Sequence, residues 1–285
     1  MSRGPGALRE VLSKRVRLMS QTRTTGLGVR QQAHFESLHS LYERHQYHPA
    51  VMEYRRRFIY ERMFRGMDLN GARVIELCSG SGHNSVYLKE RFPGVSLTGL
   101  DISRTACTDY EARVGAPCKP LDLTDPIGKV SDTFDIAFVV GGLHHCIADL
   151  EVVLANIAAM LKPGGRLVMM EPSSQFFLDP VRKLWYRLDK QMFDVETERA
   201  LNHDELFAMA KGTFEIDSVE FFGGPGCAFI LNGMIFRIPL RVKSFTAPLL
   251  LKAEAAWNRL PWRACHFLFV ARWKRTRAGL NGDFG

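Results

Sequence analysis

Residues Val74 to Leu88 read VIELCSGSGHNSVYL. A short apolar run, Val74 to Leu77, enters a turn of small residues, Cys78 to Gly82, and leaves it as a segment with helical spacing. Strand, glycine turn and helix in that order form the first unit of an open α/β sheet, whose ligands sit at the carboxyl ends of its strands. Glycines at such an end let backbone N–H groups reach a guest with no Cβ in the way. The guest could be a dinucleotide, a phosphate or another small metabolite.

The neighbouring sequence repeats the alternation. VSLTGLD reads as a strand, SRTACTDYEARV as a helix and FDIAFVV as a strand. LEVVLANIAAML is an amphipathic helix closed by the stop signal KPGG, and RLVMME is the next strand. Such alternation predicts right-handed crossovers and a parallel sheet. Upstream, Phe35, Leu38, Leu41, Tyr42, Val51, Tyr54, Phe58 and Met63 recur at helical steps, predicting two helices broken near His48–Pro49. Beyond Pro172 the alternation stops. Residues 173–210 look helical and aromatic-rich, FEIDSVEFF alternates like a half-buried strand, GGPG (Gly223 to Gly226) is a loop, residues 227–260 are amphipathic and irregular, and ACHFLFVARW ends the chain's regular structure as a strand.

These patterns divide the chain into a basic arm (1–30), a helical cap (31–68), an α/β core (69–172), an insert with one strand (173–260), a last core strand (261–274) and a tail (275–285). At 46% hydrophobic and 24% charged, the 285 residues read as globular. Six scattered cysteines with no C-x-x-C pair argue against a zinc ribbon or disulfide scaffold and for a reducing, cytoplasmic setting. No apolar run is long enough to span a bilayer. The net charge of +8 is uneven: +6 over residues 1–30, +8 over 237–285, and −6 over 31–236. Basic ends on an acidic body disfavour nucleic acid and suit an anionic substrate or lipid surface, or simply solvated termini.

Asp101 ends the second strand, 21 positions after Gly80. A carboxylate there can accept both vicinal hydroxyls of a ribose, in a dinucleotide or in another adenosine compound. Ser85 stands where a dinucleotide fingerprint wants its third glycine. Glu76, close to the turn, would repel a pyrophosphate but pair with an ammonium. Asp122, in CKPLDLTD, could accept an adenine amino group. The plainer readings are a helix N-terminal carboxylate for Glu76 and an N-cap for Asp101.

ELCSGSG, GLDIS, LDL, FDIAFVVGGLHH and LKPGGRLVMMEP, in that order, resemble the class I S-adenosylmethionine-dependent methyltransferases, within them the branch acting on quinones and natural products. The likeness covers roughly residues 50–172, and FLFVARW is similar to the family's last strand. It implies a Rossmann-like, doubly wound, seven-stranded sheet, mostly parallel, with one antiparallel strand near the C-terminus, a helical N-terminal extension and a substrate-cap insert. It implies S-adenosylmethionine as cofactor. Glu76 would order the turn and the methionine ammonium, with Cys78 beside the methionine moiety where the family usually has glycine. Gly80 and Gly82 would give backbone room. Asp101 would take the ribose, Ile102 the adenine face, Asp122 and Leu123 the adenine edge. Gly141 and Gly142 would lie beneath the sulfonium.

His144 and His145, at the end of the FDIAFVV strand, are the candidate bases, with His145 preferred; a loop-structuring role is the alternative. No metal is expected, because adjacent histidines lack ligand spacing and no acidic cluster follows them. The acceptor pocket is expected between the N-terminal helices (Tyr42, His45, Tyr47, His48, Tyr54) and the insert (Phe176, Trp185, Phe222), which suits a small apolar or amphiphilic acceptor. The stretch FILNGMIFRIPLRVKSF, with Arg237, Arg241 and Lys243, adds a peripheral membrane contact, or a packed helix with snorkelling bases. The rival readings are a methyltransferase acting on RNA or protein, and a nicotinamide-dependent reductase.

Overall fold

The computed structural model describes residues 32–33, 36–37, 40–41, 43–128, 133–188 and 198–276. The basic arm, Tyr42 and most of the tail lie outside them. The N-terminal segment ends at a turn over Tyr47–His48 and continues as α1 (residues 49–63), where a π-helical stretch, Arg55–Tyr60, lies between Pro49–Tyr54 and Glu61–Met63. The break falls where expected, since Pro at a helix's first position has no N–H to lose. The core follows: β1 (Arg73–Leu77), α2 (His83–Arg91), β2 (Ser96–Asp101), α3 (Arg104–Val114), β3 (Cys118–Pro120), β4 (Phe134–Val140), α4 (Leu150–Met160) and β5 (Leu161–Pro172). The remainder supplies α5 (Asp179–Leu188), α6 (His203–Ala210), β6 (Phe214–Phe222), α7 (Leu240–Trp257) and β7 (Leu268–Arg275).

The seven strands stand in the order β3-β2-β1-β4-β5-β7-β6. β7 runs antiparallel to both neighbours; the other pairs are parallel. Helices cover both faces. One face buries Tyr54, Ile59, Phe64 and Phe138; the other buries Val153, Ile157, Leu206 and Trp273. Each fully buried Ile, Leu or Phe contributes about 1.5–3 kcal/mol relative to exposure. α3 starts at Ser103, whose Oγ accepts from the Ala106 amide at 3.2 Å, and stops at Gly115 with φ +67°. α4 starts on Asp149.

Two local readings differ. KPGG belongs to the beginning of β5, not to a separate loop. Pairing with β4 jumps from Phe134↔Leu161 to Ile136↔Arg166, so the surplus residues bulge, with Gly164 at φ +81°. Residues 227–260 are more regular than expected: a π-helical turn, Cys227–Leu231, precedes the 18-residue α7. The GGPG loop is held by buried Glu254 of α7, which accepts the amides of Gly224, Gly226 and Cys227 and the Tyr54 hydroxyl. Among the described residues no helix is long and apolar enough to cross a membrane.

β1 pairs with β2 on one side and β4 on the other, and the chain reverses direction of growth between them. The turns after β1 and β4 therefore part at their carboxyl ends, which opens a crevice between them.

Candidate active site

The Cys78–Gly82 turn forms one wall of a cavity of about 520 Å³ at that crevice. Cys78 has φ +50°, a left-handed conformation that glycine adopts without strain. This is the physical reason glycine suits the position. The Gly80 amide donates to Asp101 Oδ2 at 2.8 Å, and the Ser103 amide to Oδ1 at 2.9 Å. The turn and the end of β2 are thus joined through one carboxylate.

Asp101, Ile102, Asp122 and Leu123 all line the cavity. Asp122 turns Oδ1 onto the amide and hydroxyl of Thr124 at 2.9 and 2.7 Å, an Asx turn that aims the side chain. Cys78, Gly80, Gly141 and Gly142 also line it. Gly141 has φ +68° and donates its amide to Met170 O. At Gly142 a Cβ would come within 2.6 Å of Cys78 Cβ and 2.8 Å of Val139 Cγ2, so this glycine lets the two loops touch.

Four expected site residues stand elsewhere. Glu76 is fully buried behind the turn and takes hydrogen bonds from Asn84 Nδ2 and Ser85 Oγ. It orders the start of α2 and does not border the cavity. Burial pushes its carboxyl up to about 7 against the pull of those hydrogen bonds. Gly82 is required for packing, since a Cβ would fall 2.5 Å from Val114 Cγ2 and 2.7 Å from the Tyr110 ring. Tyr54 donates to Glu254 at 2.7 Å and, like Phe222, is fully buried in the core, away from the cavity. Both are core aromatics, the commoner fate of aromatics at helical spacing. Phe176 and Trp185 do line the cavity.

The N-terminal residues cover the half of the crevice that holds the glycine turn. Glu43 accepts from Ser81 Oγ and from Arg113 Nη2, and lies 3.1 Å from His83 Nε2. Tyr47 stacks on His83 with ring centroids 3.5 Å apart, and Arg55 lies over Tyr47 at 5.4 Å. Glu43, Tyr47, Asn84 and Arg55 line the cavity, and sequence reasoning named only Tyr47, as an acceptor wall. Arg55 is 8% exposed; Nη1 donates to Asn84 Oδ1 at 2.9 Å, while the buried Nε has no hydrogen-bond partner. Nothing in the sequence around it singles it out. A buried, incompletely used guanidinium at the edge of a cavity fits a carboxylate guest.

Opposite, the Leu143–His145 turn wraps around Glu171, the last-but-one residue of β5. Its carboxyl accepts the amides of Gly142, Leu143 and His144 at 3.0, 2.8 and 3.3 Å and faces His144 Nδ1 at 2.8 Å. Burial holds His144 down to about 3, helped by the Arg182 charge, and pushes Glu171 up to about 7. Glu198 approaches both histidines, 3.8 Å from His144 Nε2 and 3.6 Å from His145 Nδ1. The sequence showed no acidic cluster after the pair; the fold brings the single carboxylate Glu198 to both histidines from 53 positions downstream of His145. The side-chain donor atoms of His144, His145 and Glu198 lie within 4.8 Å of one another, a grouping able to take a metal. At 3.6–3.8 Å the gaps are also those of a proton-handling cluster, and the Arg182 charge beside His144 favours that use over a second cation.

The family described as a methyltransferase domain matches residues 75–167. The chain is 29% identical over 119 residues to the ubiquinone/menaquinone biosynthesis C-methyltransferase UbiE of Geotalea daltonii, covering 37% of this chain and 48% of that protein. It is 28% identical over 123 residues to the phthiotriol/phenolphthiotriol dimycocerosates methyltransferase 1 of Mycobacterium ulcerans, covering 41% and 44%. The chain thus spans about half the length of these curated relatives. Two solved structures share the fold: the N-methyltransferase NodS of Bradyrhizobium japonicum in complex with S-adenosyl-L-homocysteine (TM-score 0.50, 13% identity, 80% of this chain and 89% of that one), and an S-adenosylmethionine-dependent methyltransferase of Mesorhizobium loti (TM-score 0.50, 18%, 73% and 93%). Sheet order, the glycine turn on its strand-end carboxylate and these likenesses agree: residues 75–167 match a methyltransferase domain, on a fold shared with solved S-adenosylmethionine-dependent methyltransferases.

Proposed function

We propose that this protein transfers a methyl group from S-adenosylmethionine to a small apolar or amphiphilic acceptor of the quinone, lipid or natural-product kind. One observation carries the reading: two strand-end carboxylates, Asp101 and Asp122, and an apolar wall of Phe176, Trp185, Met234 and Phe236 share a single cavity. Its volume of about 520 Å³ is in the range of small-molecule sites. An acceptor of this kind partitions into lipid, so contact with a membrane surface is part of the reading.

The donor set fits the cofactor. Asp101 would hold the ribose hydroxyls, Asp122 the adenine amino group, Ile102 and Leu123 the adenine faces, and Arg55 the carboxylate. Gly141 would leave backbone room at the acceptor end, and Gly142 would hold the loop against Cys78. Bound S-adenosylmethionine supplies an electrophilic methyl on a sulfonium. The chain's own contribution is alignment and exclusion of water. His145, beside Glu198, would take a proton from an acceptor hydroxyl or acidic carbon, the carboxylate steadying the imidazolium. His144, buried, neutral and held on Glu171, would shape the loop.

Calorimetric titration of S-adenosylmethionine into the parent and Asp101→Ala tests the cofactor half. The variant should bind at least about tenfold more weakly. Equal affinity would remove the assignment. Labelled donor offered with quinols, phenols and lipids tests the acceptor half by mass analysis of products.

A further inference from the structure

α5 turns its apolar side to solvent. Val181, Leu184, Trp185 and Leu188 follow one another at steps that put them on one helical face, and they are 57, 57, 41 and 76% exposed. A helix belonging to a globular core buries such a face. This one extends it: the Trp185 ring lies 5.7 Å from Phe236, and Phe236 5.8 Å from Phe229, both about half exposed. Val181, Trp185 and Phe236 also line the cavity, so the patch adjoins the proposed acceptor half.

Among the described residues the exposed charges of α5, Lys183 and Arg187, have one sign. α5 carries Arg182, Lys183 and Arg187 against Asp179, and Asp179 pairs with both Arg182 and Lys183. Arg187 is exposed, as is Arg241 at the start of α7. We propose that this face docks on an anionic lipid bilayer, with α5 lying at the headgroup level and the cavity mouth toward the acyl region. An apolar face backed by Lys and Arg, with Trp at the boundary, is the composition of an interfacial helix. The basic border distinguishes it from a contact between copies, where the centre of a patch is depleted of charge and like charges would meet. The purpose of docking rests on the amphiphilic-acceptor reading; the docking itself does not.

The full chain is sedimented with vesicles of phosphatidylcholine alone and with vesicles containing about 30% phosphatidylglycerol, whose negative surface attracts Lys and Arg. It should pellet with the anionic vesicles and be released by salt. Leu184→Glu/Leu188→Glu, at positions that do not line the cavity, should lower partitioning at least about tenfold and leave S-adenosylmethionine affinity unchanged. Lys183→Glu/Arg187→Glu should weaken binding to anionic vesicles in the same direction, and an unchanged melting curve for either variant shows that it is folded. Retention of the parent in the supernatant, or parent-like sedimentation of a folded variant, overturns the proposal. So does a parent dimer in ultracentrifugation that the leucine variant dissociates, which would make the face an interface between copies. Neither donor nor acceptor enters the sedimentation assay, so its failure leaves the methyltransferase reading standing, and failure of that reading leaves the docking result standing.

Discussion

The amide of Gly80 donates to Asp101 Oδ2 at 2.8 Å, tying the turn after β1 to the end of β2. The same carboxyl takes the Ser103 amide on Oδ1, next to the residue's place on the cavity wall. Asp101 therefore shapes the glycine turn as well as facing the guest. In Asp101→Asn one of the two amides meets an NH2 group in place of an oxygen. The loss should be about 1–3 kcal/mol of stability in the absence of any ligand. Urea denaturation of the parent and the variant measures it; coincident curves would show that the carboxylate has no structural part.

Cys78 and Gly142 should be coupled. Cys78 sits at φ +50°, and a left-handed non-glycine residue costs about 1–2 kcal/mol. Cys78→Gly removes that strain but loosens the unfolded chain, so it should fall between neutral and about 1 kcal/mol more stable. Gly142→Ala drives a Cβ to within 2.6 Å of the cysteine Cβ and should cost about 1–3 kcal/mol. In the double variant the cost should shrink by at least about 0.5 kcal/mol, since both cysteine atoms that the new Cβ would strike are gone. Strict additivity in a thermal-melt cycle would contradict the close approach of the two loops.

Glu76 imposes a pH dependence. Its folded pKa, about 7, lies above the ordinary 4.5 because burial penalises the charge. A raised folded pKa contributes stability that is fully present below 4.5 and lost as pH rises through 7. The contribution lost is at most about 3 kcal/mol. Glu76→Gln keeps a neutral side chain throughout and lacks this loss. Relative to the variant, the parent should weaken between pH 4.5 and 8. Glu171 titrates in the same sense in both proteins, so it drops out of the comparison. A stability difference independent of pH would refute the buried, strained carboxylate.

The two histidines should separate kinetically. His144, held down to about 3 by burial, stays neutral across the working range and offers no acid limb there. His144→Asn should lower turnover and stability but keep the shape of the pH–rate profile. His145→Asn should remove the acid limb and lower turnover by about 10²–10⁴-fold if the acceptor needs deprotonation. An unchanged profile in His145→Asn would leave alignment as the chain's whole contribution.

The parallel sheet was legible because its signals are local: β1, β4 and β7 are short apolar runs buried for most of their length on both sides, and α4 buries the face that its spacing announces. Asp101 and Asp122 were legible for the same reason, since residues at a strand's carboxyl end are delivered to the crevice by the topology alone. Other parts depended on long-range packing. Nothing near Arg55 marks it as a cavity residue; Asn84 and Gln46 place it there. Glu198 reaches His145 across 53 positions of chain, and Glu254 reaches Tyr54 across 200. Tyr54 and Phe222 shared the aromatic signal of Phe176 and Trp185 yet went into the core, because periodicity shows that a face is apolar and not what it is pressed against. α5 is the reverse case: its pattern asks for burial, and the packed chain leaves that face to solvent. Spacing along a chain governs which side chains share a surface. Which surfaces meet is settled by how the whole core closes.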